Sequence, residues 1–158
     1  MSVTVIKDDS ARILQAIQAM AGKEVLVGIP ADKTVRKKEP ITNAALGFIH
    51  ENGSAAQNIP PRPFLVPGVK AVSKQCAEVL KRYAQKAITG DGTIDQGLNA
   101  AGLIAQASVK KRIQSGEGFA PLKASTLAAR ARKGAKGTKP LIRTGQLLNS
   151  ITYVVRDK

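Results

Sequence analysis

His50-Glu51-Asn52-Gly53, followed by Ile59-Pro60-Pro61-Arg62-Pro63-Phe64-Leu65-Val66-Pro67, is the stretch on which the fold turns. Gly53 reads as a helix stop, because glycine takes the left-handed backbone that ends helices without a Cβ penalty. Each proline locks φ and removes a backbone donor, so residues 59–63 cannot be a central strand and favour an extended, partly solvated path. Such a path presents a defined edge bearing one cation, Arg62, and leads through the apolar anchor Phe64 into the next helix. A rigid edge of this kind suits a protein that docks others better than one that performs chemistry.

On the C-terminal side, Pro67 fits the first turn of a helix, where its missing donor costs nothing. Val69, Val72, Cys76, Val79, Leu80 and Tyr83 recur every three or four residues and predict one helix reaching about Ile88. Gly90-Asp91-Gly92 interrupts the chain. Thr93 or Asp95 then starts a second long helix to about Gln114, with the small-residue stripe Leu98, Ala101, Ala105, Val109 and Ile113. Residues 67–114 therefore read as an antiparallel helical hairpin.

On the N-terminal side, a helix from about Ile41 to Asn52 carries Ala45, Leu46 and Ile49 near one face. Val3, Val5 and Ile6 suggest a short strand, and Asp8, Asp9 or Ser10 cap a helix to about Ala21 whose stripe is Ile13, Leu14, Ile17 and Met20. Glu24–Ile29 reads as a buried strand stopped by Pro30. Towards the C-terminus, Gly116–Leu122 is a loop and Ser125 to about Lys133 a short helix. Thr144 caps a brief helix over Gly145–Asn149, and Ile151–Val155 is a β-branched closing strand. Segments 30–40 and 131–140 have loop chemistry and are expected to be flexible arms. The fold class expected is α+β: a small antiparallel sheet from N- and C-terminal strands, packed with the long hairpin and shorter helices in a single domain, 1–158.

A chain of 158 residues can bury a sizeable core, but only 3% of its residues are aromatic and Trp is absent. The interior is therefore expected to be Ala, Val, Ile and Leu. Residues 1–60 carry 7 basic and 6 acidic side chains and residues 61–158 carry 18 and 5, so the second half holds +13 of the +14 net charge. A field of that sign attracts nucleic acid, acidic protein or anionic lipid alike. Cys76 is the only cysteine, so no internal disulfide forms. The N-terminus has no secretory pattern, and the longest uncharged stretch, Gln96–Val109, is too short to cross a bilayer. A soluble chain made in a cytoplasm, without a membrane partner, is the expectation.

His50 is the only histidine, so a transition-metal site lacks the further His or Cys it would need, and no suitable His base is recognised for a Ser-His-Asp arrangement. Gly90-Asp91-Gly92 lacks the lysine and hydroxyl ending of a phosphate loop. No catalytic residue, metal or cofactor is assigned, and the protein is not expected to be an enzyme. Cys76 falls on an apolar stripe and reads as packing. Glu51 reads as a structural or interface carboxylate, with Arg62 as its expected partner. Thr144, Gly145, Leu147, Leu148, Ile151 and Tyr153 read as a cap, a turn and a buried anchor. Between Lys110 and Arg143 lie ten cations and a single acid, Glu117. Lys110, Lys111, Arg112, Arg130, Arg132, Lys133, Lys136 and Lys139 are the candidate contact surface. Phe119 is the tract's only aromatic, so single-strand stacking is poorly supported, while salt-sensitive contact with a duplex backbone is an alternative reading.

Three segments together resemble the phage tail-completion and head-tail joining family of long-tailed phages. Phe48-Ile-His-Glu-Asn-Gly53 with Ile59-Pro-Pro-Arg-Pro-Phe-Leu65 is similar to the family's Glu-aromatic-Gly element and Pro-Arg-Pro-Phe segment. Gly116–Leu122 with Ser125-Thr126-Leu127 resembles its loop into an Arg-containing helix. Pro140-Leu-Ile-Arg-Thr-Gly-Gln-Leu-Leu-Asn-Ser-Ile151 is similar to its Thr-Gly ending. The resemblance implies a structural virion protein, at the neck or as tail terminator, that forms a homo-oligomeric ring, a hexamer among the options. It implies contacts with a tail tube protein below and a connector or adaptor above, in a free phage or a prophage, with assembly in the host cytoplasm. Glu51, Gly53, Pro61, Arg62, Pro63, Phe64, Arg143, Thr144, Gly145 and Leu148 are the expected structural or interface residues. The alternative is a small basic double-stranded DNA-binding protein using residues 110–143.

Overall fold

A computed structural model describes residues 8–31, 41–134 and 137–158. The strand expected at Val3–Ile6, most of the 30–40 arm and Lys136 lie outside the described residues. In chain order the elements are α1 (Ser10–Gly22), β1 (Lys23–Gly28), α2 (Asn43–Asn52), α3 (Leu65–Lys70), α4 (Ser73–Thr89), α5 (Ile94–Ser115), α6 (Ala124–Arg132), α7 (Gln146–Ser150) and β2 (Thr152–Asp157). The fold is α+β, with strands from near the two ends of the chain pairing across it.

α5 is the spine. Thr93 and Gln96 close a reciprocal capping box at its start, and Gly116 ends it in the left-handed region. Its predicted stripe is buried as read: Leu98, Ala101, Ala105, Val109 and Ile113. Small residues let neighbours come close. A Cβ on Gly68 would stand 2.9 Å from the Cα of Val109, one on Gly97 2.7 Å from the Cβ of Tyr83, and one on Gly102 inside the ring of Tyr153. α3, α4 and β2 are thus each seated against the same helix through a glycine.

The predicted helix from Pro67 to Ile88 is two helices. Val72 leaves helical geometry, at φ −114° and ψ 11°, and the Ser73 hydroxyl donates to the Lys70 carbonyl. That side-chain bond competes with the helix ladder at the break. α4 and α5 still form the antiparallel hairpin.

β1 and β2 pair antiparallel in the register Glu24↔Arg156, Val25↔Val155, Leu26↔Val154 and Val27↔Tyr153. Both strands pack on α5, and Gln106 donates to the Ile151 carbonyl at 3.0 Å where β2 begins. β1 was expected to be buried, yet only one face is covered, because α5 lies on one side of the ribbon. Leu26 and Val154 form an exposed apolar pair on the other. Arg156 bonds to Glu24 beside them.

The main core joins Phe64, Val109, Ile113, Leu141, Leu147 and Ile151, with Val27, Ile29 and Val69 packed around it. Its largest member is aromatic: Phe64 is 1% exposed, which corrects the expectation of a purely aliphatic interior. The α1 stripe is also corrected. Ile13, Leu14, Ile17 and Met20 are all exposed, and the small Ala16 is the buried residue, since α1 meets α4 and α5 along a narrow seam. In α2 the buried positions are Asn43 and Gly47, while Ala45 is exposed. At Gly47 an added Cβ would lie 2.7 Å from Ile29 Cδ1, so that side-chain tip would have to shift to admit it.

Candidate functional site

The described residues contain no cluster of metal-ligating side chains. What they do contain is a tightly bonded centre built on the proline segment, opening into a cationic cleft.

Gly53 stops α2 at φ 77° and ψ 177°, a positive-φ conformation that is extended in ψ and differs from the left-handed helical turn expected of it. A Cβ there would meet the Pro61 nitrogen at 2.9 Å and the Ile59 carbonyl oxygen at 3.0 Å, so the chain doubles back directly over the glycine. Ser54 and Ile59 bridge the turn, and the Arg62 amide donates to the His50 carbonyl at 2.7 Å. This return path carries the start of α3 to the Glu51 side chain. Glu51 Oε2 accepts the N–H groups of Phe64 and Leu65 at 2.7 and 2.8 Å, and Oε1 accepts that of Val66 at 2.9 Å. A carboxylate gripping three otherwise unpaired amides at a helix start combines charge-assisted hydrogen bonds with favourable dipole electrostatics.

The expected Glu51–Arg62 ion pair does not form. Arg62 turns the other way: its Nε donates to the Ala120 carbonyl at 2.7 Å and its Nη2 to the Pro121 carbonyl at 3.0 Å. The side chain is 5% exposed, and burial pushes its pKa below the usual guanidinium value. Arg112 closes the third side, donating Nε to the Pro63 carbonyl at 3.0 Å while its guanidinium sits over the Phe119 ring. The proline segment, read as a presented edge, is therefore an internal junction joining α2, α5 and the 116–122 loop. Pro61 is exposed, Pro63 is half-buried, and Arg62 and Phe64 are interior. Prolines offer carbonyls but no N–H groups, and the buried Arg62 and half-buried Arg112 supply donors to carbonyls at this junction.

The cationic tract separates into two populations. Arg130 Nη1 donates to the carbonyls of Gly137, Lys139 and Ile142 at 3.0 to 3.1 Å. Lys139 Nζ donates to the Gln114 carbonyl at 2.7 Å, and Lys123 Nζ to the Asn58 carbonyl at 3.3 Å. Arg112, Arg130 and Lys139, expected as contact cations, thus bind the chain's own backbone, and Arg130 and Lys139 tie down residues 137–139 of the 131–140 arm. Lys111, Arg132 and Lys133 are exposed and Lys110 is half-buried.

Thr144 does not cap α7. The chain passes through the left-handed region at Gly145, φ 76°, and that glycine occupies the cap position, so no side-chain oxygen stands there. Arg143 and Thr144 are exposed just before it. The buried anchor is Leu147, with Leu148 packed at the margin of the core. Leu141, in a positive-φ conformation at 62°, is a core residue that sequence reading missed, since nothing local marks a leucine for that backbone.

A cleft of about 480 Å³ lies between the C-terminal half of α2, the 58–62 return, α6 and the 141–147 turn. Its walls include Arg62, Lys123, Arg130, Lys133 and Arg143, and its described lining has no carboxylate. Burial, and then the charges of Arg143 and Arg62, hold the Arg130 guanidinium below its usual value. Sequence reading placed these cations in one tract but had no means of closing them around a cleft with Arg62. Comparison with family models, with curated proteins and with solved structures found no match.

Proposed function

We propose that this chain is a structural virion-assembly protein that forms a homo-oligomeric ring at the head-tail junction or the head-proximal end of the tail. In this reading it contacts a tail tube protein on one side and a connector or adaptor on the other, and works without a reaction centre. The motif resemblance at 48–65, 116–127 and 140–151 motivates the proposal. The observation that supports it best is the uncovered apolar surface: Leu14 at 58% exposed, with Ile13, Ile17 and Met20 on α1, and the Leu26–Val154 pair on the open face of a two-stranded ribbon. A two-stranded sheet is marginal on its own, and open strand edges are ready templates for another chain. Neighbouring copies that cover α1 and extend the ribbon would satisfy both, given an interface above roughly 1,000 Å² in total. Among the described residues no helix is long and apolar enough to cross a membrane.

The test is deletion and complementation in a phage carrying the gene. Separate filled heads and tails, rescued by the wild-type gene, fit the proposal, as do closed rings of purified protein in negative stain. Normal particles after deletion would overturn it. The rival reading, sequence-independent binding of duplex DNA through 110–143, predicts affinity falling steeply with salt. The bonding of Arg112 and Lys139 to the Pro63 and Gln114 carbonyls turns those two cations away from a phosphate backbone and weakens that reading.

A further inference from the structure

We infer that the cleft between α2, α6 and the 141–147 turn is a docking site for an acidic, leucine-bearing segment of another polypeptide. The inference stands apart from the assembly reading, since capture of a free peptide requires neither ring nor virion.

Three features converge on this chemistry. First, five cationic side chains, Arg62, Lys123, Arg130, Lys133 and Arg143, line one cleft. Arg62, Lys123 and Arg130 donate to neutral carbonyls, which orient a guanidinium or ammonium without cancelling its charge. Like charges gathered in a concave, partly desolvated space raise the local potential and favour an anion there. Second, the floor is aliphatic: Leu46, Ile59, Leu122, Leu141 and Leu147. An inorganic anion or a sugar-phosphate backbone would leave that floor uncovered, whereas an aliphatic side chain flanked by carboxylates matches floor and walls together. No Phe, Tyr or Trp lines the described cleft, so the broad aromatic platforms on which nucleobases stack best are missing from it. Third, the inner part of the wall is fixed before a partner arrives. Arg62 is 5% exposed and bonded twice, and Arg130 is bonded three times, so little ordering cost is left to binding.

The probe is a fluorescein-labelled peptide of alternating Glu and Leu, followed by anisotropy with the full chain at moderate salt. Replacing Glu by Gln, or Leu by Ser, should each weaken binding about tenfold or more, because charge and floor act together. Lys133→Glu and Arg143→Glu, both on exposed side chains, should weaken it similarly, with unchanged circular dichroism. Ala129→Phe fills the cleft without altering charge and should also abolish capture. A photo-crosslinking leucine analogue in the same peptide, used on the wild-type chain, should label residues within 122–147. Equal binding of the Ser-substituted peptide, crosslinks confined to α4 or the sheet, or tight duplex binding that survives Ala129→Phe while the peptide fails to bind, would each overturn the inference.

Discussion

The Glu51 carboxylate accepts the backbone N–H of Phe64, thirteen residues further along the chain, at 2.7 Å. One contact thereby couples the end of one helix to the start of the next and sets the core's largest side chain in place. Leu65 and Val66 share the same carboxylate. Glu51→Ala should cost roughly 2–4 kcal/mol in urea denaturation, since three amides, two of them in part-buried bonds, lose a charged acceptor, and Glu51→Gln about half of that. A loss for Glu51→Ala below about 1 kcal/mol would mean that water replaces the carboxylate without penalty.

Arg62 needs its fork to reach two consecutive carbonyls at once. Arg62→Lys keeps the charge but forfeits that geometry and should destabilise the fold by roughly 1.5–3 kcal/mol. Lys111→Ala, on an exposed side chain with no bonded partner among the described residues, should stay within about 0.5 kcal/mol of wild type. Equal effects of the two substitutions would refute the internal role of Arg62.

Gly102 lies under the Tyr153 ring, whose hydroxyl donates to Asn99 Oδ1 at 3.1 Å. Gly102→Ala must push that ring off α5 and should lower stability by about 1–3 kcal/mol. Gly22, with open space around its Cα, should tolerate alanine and gain a few tenths of a kcal/mol, up to about 1. Thermal melts of the two variants should move in opposite directions.

If α1 and the ribbon form subunit contacts, Leu14→Glu with Ile17→Glu should leave the monomer fold intact and shift the oligomer to monomer in light scattering. Stability should change by less than about 1 kcal/mol, because both side chains are already exposed. A double variant that assembles as wild type does would move the interface elsewhere.

Cys76 is half-buried, with Sγ 3.6 Å from the Ala101 carbonyl, and burial pushes its thiol above the ordinary value of 9.0. The folded state holds the proton more tightly than the unfolded chain. Its contribution is therefore fully present below that ordinary value and is lost as pH rises through the folded-state value. Modification by a thiol reagent at pH 8 should be slower than in denaturant, converging as the medium is made alkaline. Equal rates in both states at pH 8 would contradict the burial.

Periodicity alone located α5 and its buried stripe from Leu98 to Ile113, because a long amphipathic pattern leaves one helical phase that works. Gly53, Thr93 and Gly116 were legible as boundaries, since stops and caps depend on chemistry within a few residues. The two strands were legible as β-branched runs near the two ends. The sequence also assigned Glu51, Arg62 and Phe64 structural weight, but it paired the first two with each other. Which acceptor a buried cation meets depends on carbonyls 58 residues away at Ala120, and no local pattern encodes that distance.

Tertiary structure alone decided which apolar stripes are covered. Ile13, Leu14 and Ile17 carry the same helical signature as Leu98 and Ala105, yet only the latter find a neighbour on their side. It likewise decided that the proline segment is an interior junction and that cations from α6 and two loops close around one cleft with Arg62. Local propensity is read over a handful of residues, whereas burial and charge convergence arise from contacts between segments that meet only once the chain has folded.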